Sequence, residues 1–572
     1  MVFDSLSVRV GLLSLAVLGL ILVRRKLYPK PYPGIPYNEA SAKRLTGDIM
    51  EIAPIIKEKN EFSAALFAVT TQKLGVPIAQ LLFPGVRKPL IILEDPREIE
   101  DIIVRRHKEF DKAPTSLAIF RPMFRRATLT QFTTPELKAQ KRLWADVMGV
   151  DFLRRIAAPN IHKCTLELLE LWRLRAESAS NDRPINVLDD FKNTTLDAIW
   201  IVILGEEAGT VRFDIEKLKH QLDGFSSSTT SSQLPVGTFL KEQVAYISAT
   251  IARNSNTPSP ELAQKLETYT PRYRRFRRIV TGEMTRCMKK AVEHYQSVAE
   301  GALESDASDT CAMDLVLRRQ ILQARKAGVE PSDPTKDLSM LDEMFTMLLG
   351  GHDSTANTLA WFARYMERFP GVQTTLRAVL REAFPGPGLP SANEILDADI
   401  PYLDGVCEEA FRLAGTAKAN LRQALVDTTI LGCPIPKGAE IFMNYHIDRA
   451  PAPWEEEKRS ETSKAAAEKH GDGLRGVAGR DLGSFNPRRW IVMDEKTGKE
   501  KFDAYALPNL AFGGGFRGCF GRRLAQMEFR IMVVLLILSF EFLELPEEHQ
   551  SMAAIEKIFR EPKHPYARLR VL

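Results

Sequence analysis

The chain of 572 residues has only six cysteines, at positions 164, 287, 311, 407, 433 and 519, with no CxxC pair and no regular spacing. That scarcity excludes a disulfide framework, offers no zinc-site pattern, and fits a body held in a reducing compartment. A surplus of one charge sign is missing too. The 78 Lys and Arg against 73 Asp and Glu leave a formal net charge of +5, too slight over this length for nucleic-acid binding. No internal repeat is visible, and no long linker divides the body of the chain. What is present is apolar substance: 44% hydrophobic residues suffice for one very large domain or a few ordinary ones.

The first residues read MVFDSLSVRVGLLSLAVLGLILVRRKLYPKPYPGIP, with an unbroken weakly polar to apolar run from Val10 to Val23 bounded by Arg24, Arg25 and Lys26. Counted from Leu6, the run approaches the roughly 20 residues of a bilayer crossing, with Arg9 able to snorkel. Its charges lie mainly after the apolar run and no A-x-A-like site follows, which reads as a signal anchor rather than a cleaved signal peptide. Positive-inside reasoning then puts the bulk of the chain on the cytosolic side. The expected division is an anchor with its flank over 1–27, a hinge over 28–36 rich in proline (Pro29, Pro31, Pro33, Pro36) that acts as a stiff extended spacer, and a catalytic body over 37–572.

Within the body, apolar residues at three- and four-residue spacing predict helices over 94–106, 134–148, 162–177, 189–205 and 273–295. Strand signals are short: PLIIL at 89–93, and TTILGCPIPKGAEIFMNY at 428–445, which reads as a hairpin around Gly-Pro punctuation. The fold class is mainly α with a small β lobe. Two stretches, 224–237 and 450–483, read as solvated loops, the second with a short exposed helix in its middle.

Three segments carry chemistry. The first, FGGGFRGCFG at 512–521, sets Cys519 among five glycines just ahead of the helix formers RRLAQMEF. An inert core thiol is the plain alternative. However, glycines let a backbone approach a flat ligand closely, and a helix N-terminus stabilises a thiolate, the form of cysteine that binds metal. Arg517 adds a fixed charge suited to a carboxylate or to the thiolate's field. The second segment, MLLGGHDSTANTLAW at 347–361, puts Gly350 and Gly351 in an apolar helix at a cost of about 1 kcal/mol each relative to alanine. A ligand pressing on the helix would explain them, with Asp353 and Ser354, followed by Thr355, supplying an acid and hydroxyls. His352 lies between, without the oriented surroundings a metal-binding histidine needs. The third segment, CEEAFRL at 407–413, places Glu409 and Arg412 on one helix face, able to form an ion pair.

FGGGFRGCFG fits the FxxGxRxCxG haem-binding signature of the cytochrome P-450 family through Phe512, Gly515, Arg517, Cys519 and Gly521. The E-x-x-R pair follows the family's order, and FNPRRW at 485–490 resembles its FxPERW, with Arg489 expected to complete a triad with Glu409 and Arg412, and Arg488 in place of the usual acid. GGHDST resembles the family's (A/G)Gx(D/E)T(T/S), with Ser354 where threonine is usual. The resemblance runs from the anchor to the end of the chain. It implies one large haem domain of the P-450 fold, haem b ligated by Cys519, and Asp353 and Ser354 with Thr355 relaying protons to bound O2. It further implies Arg422, and Lys138, Lys141 or Arg142 from the helix where the family has WxxxR, as contacts for the haem propionates; Leu137 stands where the tryptophan would be.

The activity implied is a monooxygenation of a lipophilic small molecule, in fungal relatives often a terpenoid, polyketide or alkaloid. Its electrons would come from NADPH through a separate NADPH-cytochrome P-450 reductase, with or without cytochrome b5, because no nucleotide-binding or flavin domain follows the haem motif. The implied location is the endoplasmic reticulum membrane, single-pass, with the catalytic domain facing the cytosol. Arg522, Arg523 and Arg530 form either a basic docking patch for the redox partner or ordinary solvated charge. The loop at 224–237 would help form the substrate channel. Two other readings stay open: a haem-thiolate isomerase or dehydratase acting on a peroxide without a reductase, which would usually lack the acid–alcohol pair, and a non-catalytic haem-binding membrane protein.

Overall fold

The computed structural model describes residues 13–14, 18–19, 26–178, 183–222, 236–255, 257, 259–297, 309–470 and 481–572. Most of the expected membrane span and most of the loop at 224–237 lie outside the described residues, and among those described no helix is long and apolar enough to cross a membrane.

Seven helices position the chemistry: α1 (Pro135–Leu143), α2 (Ala158–Ser178), α3 (Val187–Leu204), α4 (Leu338–Arg368), α5 (Pro401–Ala414), α6 (Glu461–His470) and α7 (Arg522–Ser539). Their ends follow local chemistry. The Asp337 carboxylate accepts from the N–H groups of Ser339 and Met340 to start α4, and α4 stops at Phe369, before Pro370. Pro401 opens α5, and Gly415 at φ 53° closes it. α3 is buried almost all round, which is why it reads as a nearly continuous apolar run, and it packs along α4. α2, α5 and α7 share one apolar core with this pair, which includes the fully buried Trp172, Trp200 and Trp361.

The β lobe is a five-stranded sheet of order β1-β2-β7-β4-β3, with β1 Ile78–Leu81, β2 Leu90–Leu93, β3 Phe110–Lys112, β4 Ala419–Ala424 and β7 Glu440–Asn444. Only the β2–β7 pair is parallel within it. The hairpin expected within 428–445 forms from β5 (Thr428–Ile430) and β6 (Cys433–Ile435), turning at Leu431 and Gly432, both at positive φ. The remaining run of that stretch becomes β7 and joins the main sheet instead.

Two segments are held more firmly than their sequence suggests. Residues 28–36 are not the extended spacer expected: they turn at Pro33 and Gly34, with Gly34 at φ 75°, and are seated against β1, where the Gln80 side chain accepts from Tyr32 N at 2.8 Å and donates to the carbonyls of Tyr32 and Ile35 at 2.9 Å. The stretch after 450 contains the expected short helix, α6, and is clamped in place. Arg459 pairs with buried Asp95 at 2.7 Å, while the hydroxyls of Ser460 and Thr462 donate to Asp101 at 2.6 and 2.8 Å. Residues 471–480 of that stretch lie outside the described residues.

Candidate active site

The cysteine loop closes on itself: the Cys519 N–H donates to the Phe512 carbonyl at 2.8 Å and the Gly518 N–H to the Gly515 carbonyl at 3.1 Å. Gly515 takes φ 60°, and a Cβ there would stand 2.2 Å from the Ile103 carbonyl oxygen. Glycine is therefore required for both conformation and close approach. Ile103 belongs to the π-helical turn Asp101–Arg105, the same turn that Ser460 and Thr462 clamp. Gly521 caps α7, so Cys519 lies just ahead of a helix N-terminus as expected. Phe512 packs edge-on against Phe411 of α5 at 5.0 Å.

Cys519 is exposed, whereas the other five cysteines are buried. Its thiol is nonetheless pushed up by burial, with the Gly521 N–H, Arg522 and Lys141 pulling it back. The expected preference for thiolate is thus outweighed by desolvation in the polypeptide alone, and the supporting charges are Arg522 and Lys141, not Arg517.

Beside the thiol stands a cluster of cations. Arg422 on β4 is buried and lies in register with Lys112 on β3. Arg517 donates to the Gln131 carbonyl at 2.9 Å, and Lys141 to the Phe516 carbonyl at 2.6 Å with its ammonium 4.5 Å from the Phe516 ring centroid. Burial, then Arg517 and Arg422, holds the Lys112 ammonium well below its ordinary range. Burial likewise brings Arg517 down to about 10, with Asp111 opposing and Arg422 adding to the fall. None of these four cations is in an ion pair with a carboxylate among the described residues. Lys112 was not legible as a site residue, because only strand register brings it to Arg422. Of the three basic residues on α1, only Lys141 reaches the loop, since it shares a helix face with the buried Leu137. Lys138 and Arg142 are offset from that face and exposed.

In α4, the Ser354 hydroxyl donates to the Gly350 carbonyl at 2.6 Å and that of Thr355 to the Gly351 carbonyl at 3.1 Å. Asp353 is paired with Lys192 of α3 at 3.1 Å and accepts from Asn357 Nδ2 at 3.2 Å. Asp353 and Glu561, the latter 3.7 Å from the ammonium, raise the Lys192 pKa against the effect of burial. His352 is buried, bonds to the Leu348 carbonyl, and is held below its ordinary range by desolvation. The helix runs unbroken through both glycines. A Cβ on Gly351 would lie 2.8 Å from Ile199 Cγ1 of α3, so helix packing accounts for this glycine; Gly350 faces open space. Glu528 of α7 is buried, with its carboxyl pushed up to about 8 by desolvation and the neighbouring Thr355 hydroxyl opposing the rise.

The expected triad is assembled. Arg412 donates to both oxygens of Glu409 at 2.9 and 2.7 Å, and Arg489 Nε donates to Glu409 Oε1 at 2.9 Å. Trp490 Nε1 adds a fourth donor group at 2.9 Å. Arg412 also caps the carbonyls of Ile447 and Leu482, so this buried ion pair ties α5 to the strand and loop that follow.

A family model for Cytochrome P-450 matches residues 81–458 and 483–568. The chain belongs to the cytochrome P-450 family. Its relatives include the cytochrome P-450 monooxygenase TRI13 of Fusarium sporotrichioides, 31% identical with 97% of this chain and 98% of that one covered. The cytochrome P-450 monooxygenase xilC of Penicillium crustosum is 29% identical, with 100% and 97% covered. The fold is the P-450 fold, mostly helical with small sheets, and the chain is an oxidoreductase.

Membership in the P-450 family implies haem, and the residues fit it. An iron porphyrin needs a soft donor and cations for two carboxylates; here an accessible thiol adjoins four cations that have no carboxylate of their own. Of the three arginines of α7, Arg530 is not surface charge. It bonds to Asp404 in the first turn of α5 and to the carbonyls of Ile395 and Ala398, stapling α7 to α5 and the chain before it. Arg522 and Arg523 are exposed.

Proposed function

We propose that Cys519 ligates the iron of haem b, that Lys112, Lys141, Arg422 and Arg517 hold its carboxylates, and that the enzyme inserts one oxygen atom of O2 into a lipophilic small molecule. The observation that carries this reading is the joint placement of one accessible thiol and four cations that form no ion pair with a carboxylate among the described residues. When bound, haem supplies the site for O2 and the oxidising power.

The chain's own contribution is binding, orientation and proton handling. The Cys519 sulfur, once deprotonated, donates electron density to the metal, and the Gly521 N–H, Arg522 and Lys141 stabilise that charge. Phe512 and Phe411 cover this side of the loop with apolar surface. The Ser354 hydroxyl, anchored on the Gly350 carbonyl, presents a proton donor on the half-buried side of α4. Asp353, held by Lys192 and Asn357, is the acid through which that hydroxyl is resupplied. The acid–alcohol pair favours O2 chemistry over peroxide rearrangement.

The substrate reading, a fungal secondary metabolite of terpenoid, polyketide or alkaloid type, rests on the fungal monooxygenases among the relatives. Electrons reach the site from NADPH through a membrane-bound P-450 reductase docking near Arg522 and Arg523. The segment from Leu6 to Val23 anchors the chain in the endoplasmic reticulum membrane with the catalytic body in the cytosol. Reconstituting the full chain with NADPH-cytochrome P-450 reductase in lipid vesicles tests the whole reading. Isotopically heavy O2 should place one labelled oxygen in the product of a lipophilic substrate; product formed without NADPH or without O2 would overturn it.

A further inference from the structure

Tyr445 follows β7 directly, and its backbone N–H donates to the Lys418 carbonyl at 2.8 Å, which fixes where its side chain starts. The residue is 5% exposed. Its ring reaches the cysteine loop: a Cβ on Gly513 would stand 3.5 Å from Tyr445 Cε2 and 3.8 Å from the hydroxyl oxygen. That hydroxyl is buried and has no hydrogen-bond partner among the described residues. Phenylalanine would fill the same space without burying an unpartnered donor, so the choice of tyrosine calls for a reason.

The charge beside it supplies one. Burial pushes the phenol up, and the Arg422 guanidinium is the group that pulls it back. Arg422 is 3% exposed, donates hydrogen bonds to Asn420 Oδ1 and the Leu421 carbonyl, and forms no ion pair with a carboxylate among the described residues. A buried neutral donor and a buried cation therefore share one neighbourhood, next to Gly513, and each is missing an anion. Lys112, in register with Arg422, is already depressed by its neighbouring cations. A further donor at this place serves best if it carries no charge of its own.

We propose that Tyr445 is a positioning residue for the cofactor: its hydroxyl donates a hydrogen bond to the haem carboxylate that Arg422 neutralises. The assignment rests on the haem reading above. It gives β7 a part in holding the cofactor beside that of β4, and it explains why the residue against Gly513 is a phenol.

The test compares full-length holoprotein with its Tyr445→Phe variant, following transfer of ferric haem to excess apomyoglobin. Loss of one hydrogen bond to a charged acceptor should speed haem release about tenfold. The reduction potential should move to more negative values, because the carboxylate keeps more of its charge. Circular dichroism should be unchanged. Release within about twofold of the parent with an unmoved potential would overturn the assignment while leaving the haem reading standing. A variant that gains thermal stability and keeps its haem equally well would also overturn it, showing the hydroxyl to be an unpartnered group only. A folded parent that carries no haem would defeat the proposed function itself.

Discussion

Ser354 stands where the family usually has threonine, and without the γ-methyl its χ1 is freer. Among the described residues its hydroxyl is held by the Gly350 carbonyl alone. Proton delivery is therefore expected to be less tightly coupled than a threonine would make it. Ser354→Ala should lower product formation by about 100-fold, toward the small end of general acid–base effects, while NADPH is still consumed and appears as hydrogen peroxide. Ser354→Thr should release less peroxide per NADPH than the parent; peroxide assays against NADPH oxidation check both. At this scale the sequence was legible wherever a fixed spacing marks a residue: Cys519, Arg517, and Glu409 with Arg412 and Arg489 all stand out by pattern. Lys112, Tyr445, Trp490 and Glu528 do not. Lys112 reaches Arg422 through strand register, Tyr445 reaches Gly513 from the end of β7, and Glu528 reaches Thr355 between two helices. No local pattern records contacts of that kind.

The helix α4 shows two adjacent glycines in different surroundings, one against a neighbouring helix and one facing open space. Both cost helix propensity, but Gly351 is explained by Ile199 of α3 pressing on it and Gly350 meets nothing within 4 Å. Gly351→Ala is expected to destabilise the fold by about 1 kcal/mol or more despite alanine's better helix propensity, whereas Gly350→Ala should raise stability by up to about 1 kcal/mol. Urea unfolding of the two variants distinguishes packing from ligand contact as the reason for each glycine. Helix existence was legible for α2, α3 and α4, because their apolar periodicity is long, while helices such as Val236–Ser255 and Ala312–Lys326 were not among those expected. Departures came where tertiary partners decide: the segment over 94–106 breaks into a short helix and a π-helical turn seated under Gly515, and the stretch after 450 is clamped through buried Asp95 and Asp101.

Over the whole molecule, burial of acids sets the pH dependence of stability. Glu528 is pushed up to about 8, Glu98 to about 7 and Asp197 to about 6, in each case chiefly by desolvation. Between the ordinary carboxylate range and those values the unfolded chain has lost protons that the folded chain keeps, so stability falls as pH rises. His446 acts in the opposite sense: burial lowers it to about 3, so it favours folding as pH rises from there to its ordinary 6.5. Above about 6.5 the histidine contribution is complete, and the three acids continue to lower stability against Lys112, whose depressed ammonium acts in the opposite sense. The melting temperature is expected to decline from there to pH 8, and Glu528→Gln should flatten the upper part of that decline in a scanning calorimetry series.

The molecule as a whole is organised around one claim, that Cys519 is the thiolate ligand of a haem. The absorption difference spectrum of the dithionite-reduced protein with and without carbon monoxide tests it most directly. A strongly red-shifted Soret band is expected, since a thiolate pushes electron density onto the iron, and Cys519→Ala should abolish that band while leaving the helical content in place. A folded, haem-loaded parent chain whose ferrous carbon monoxide band lacks the shift, or a Cys519→Ala variant that keeps it, would contradict the account.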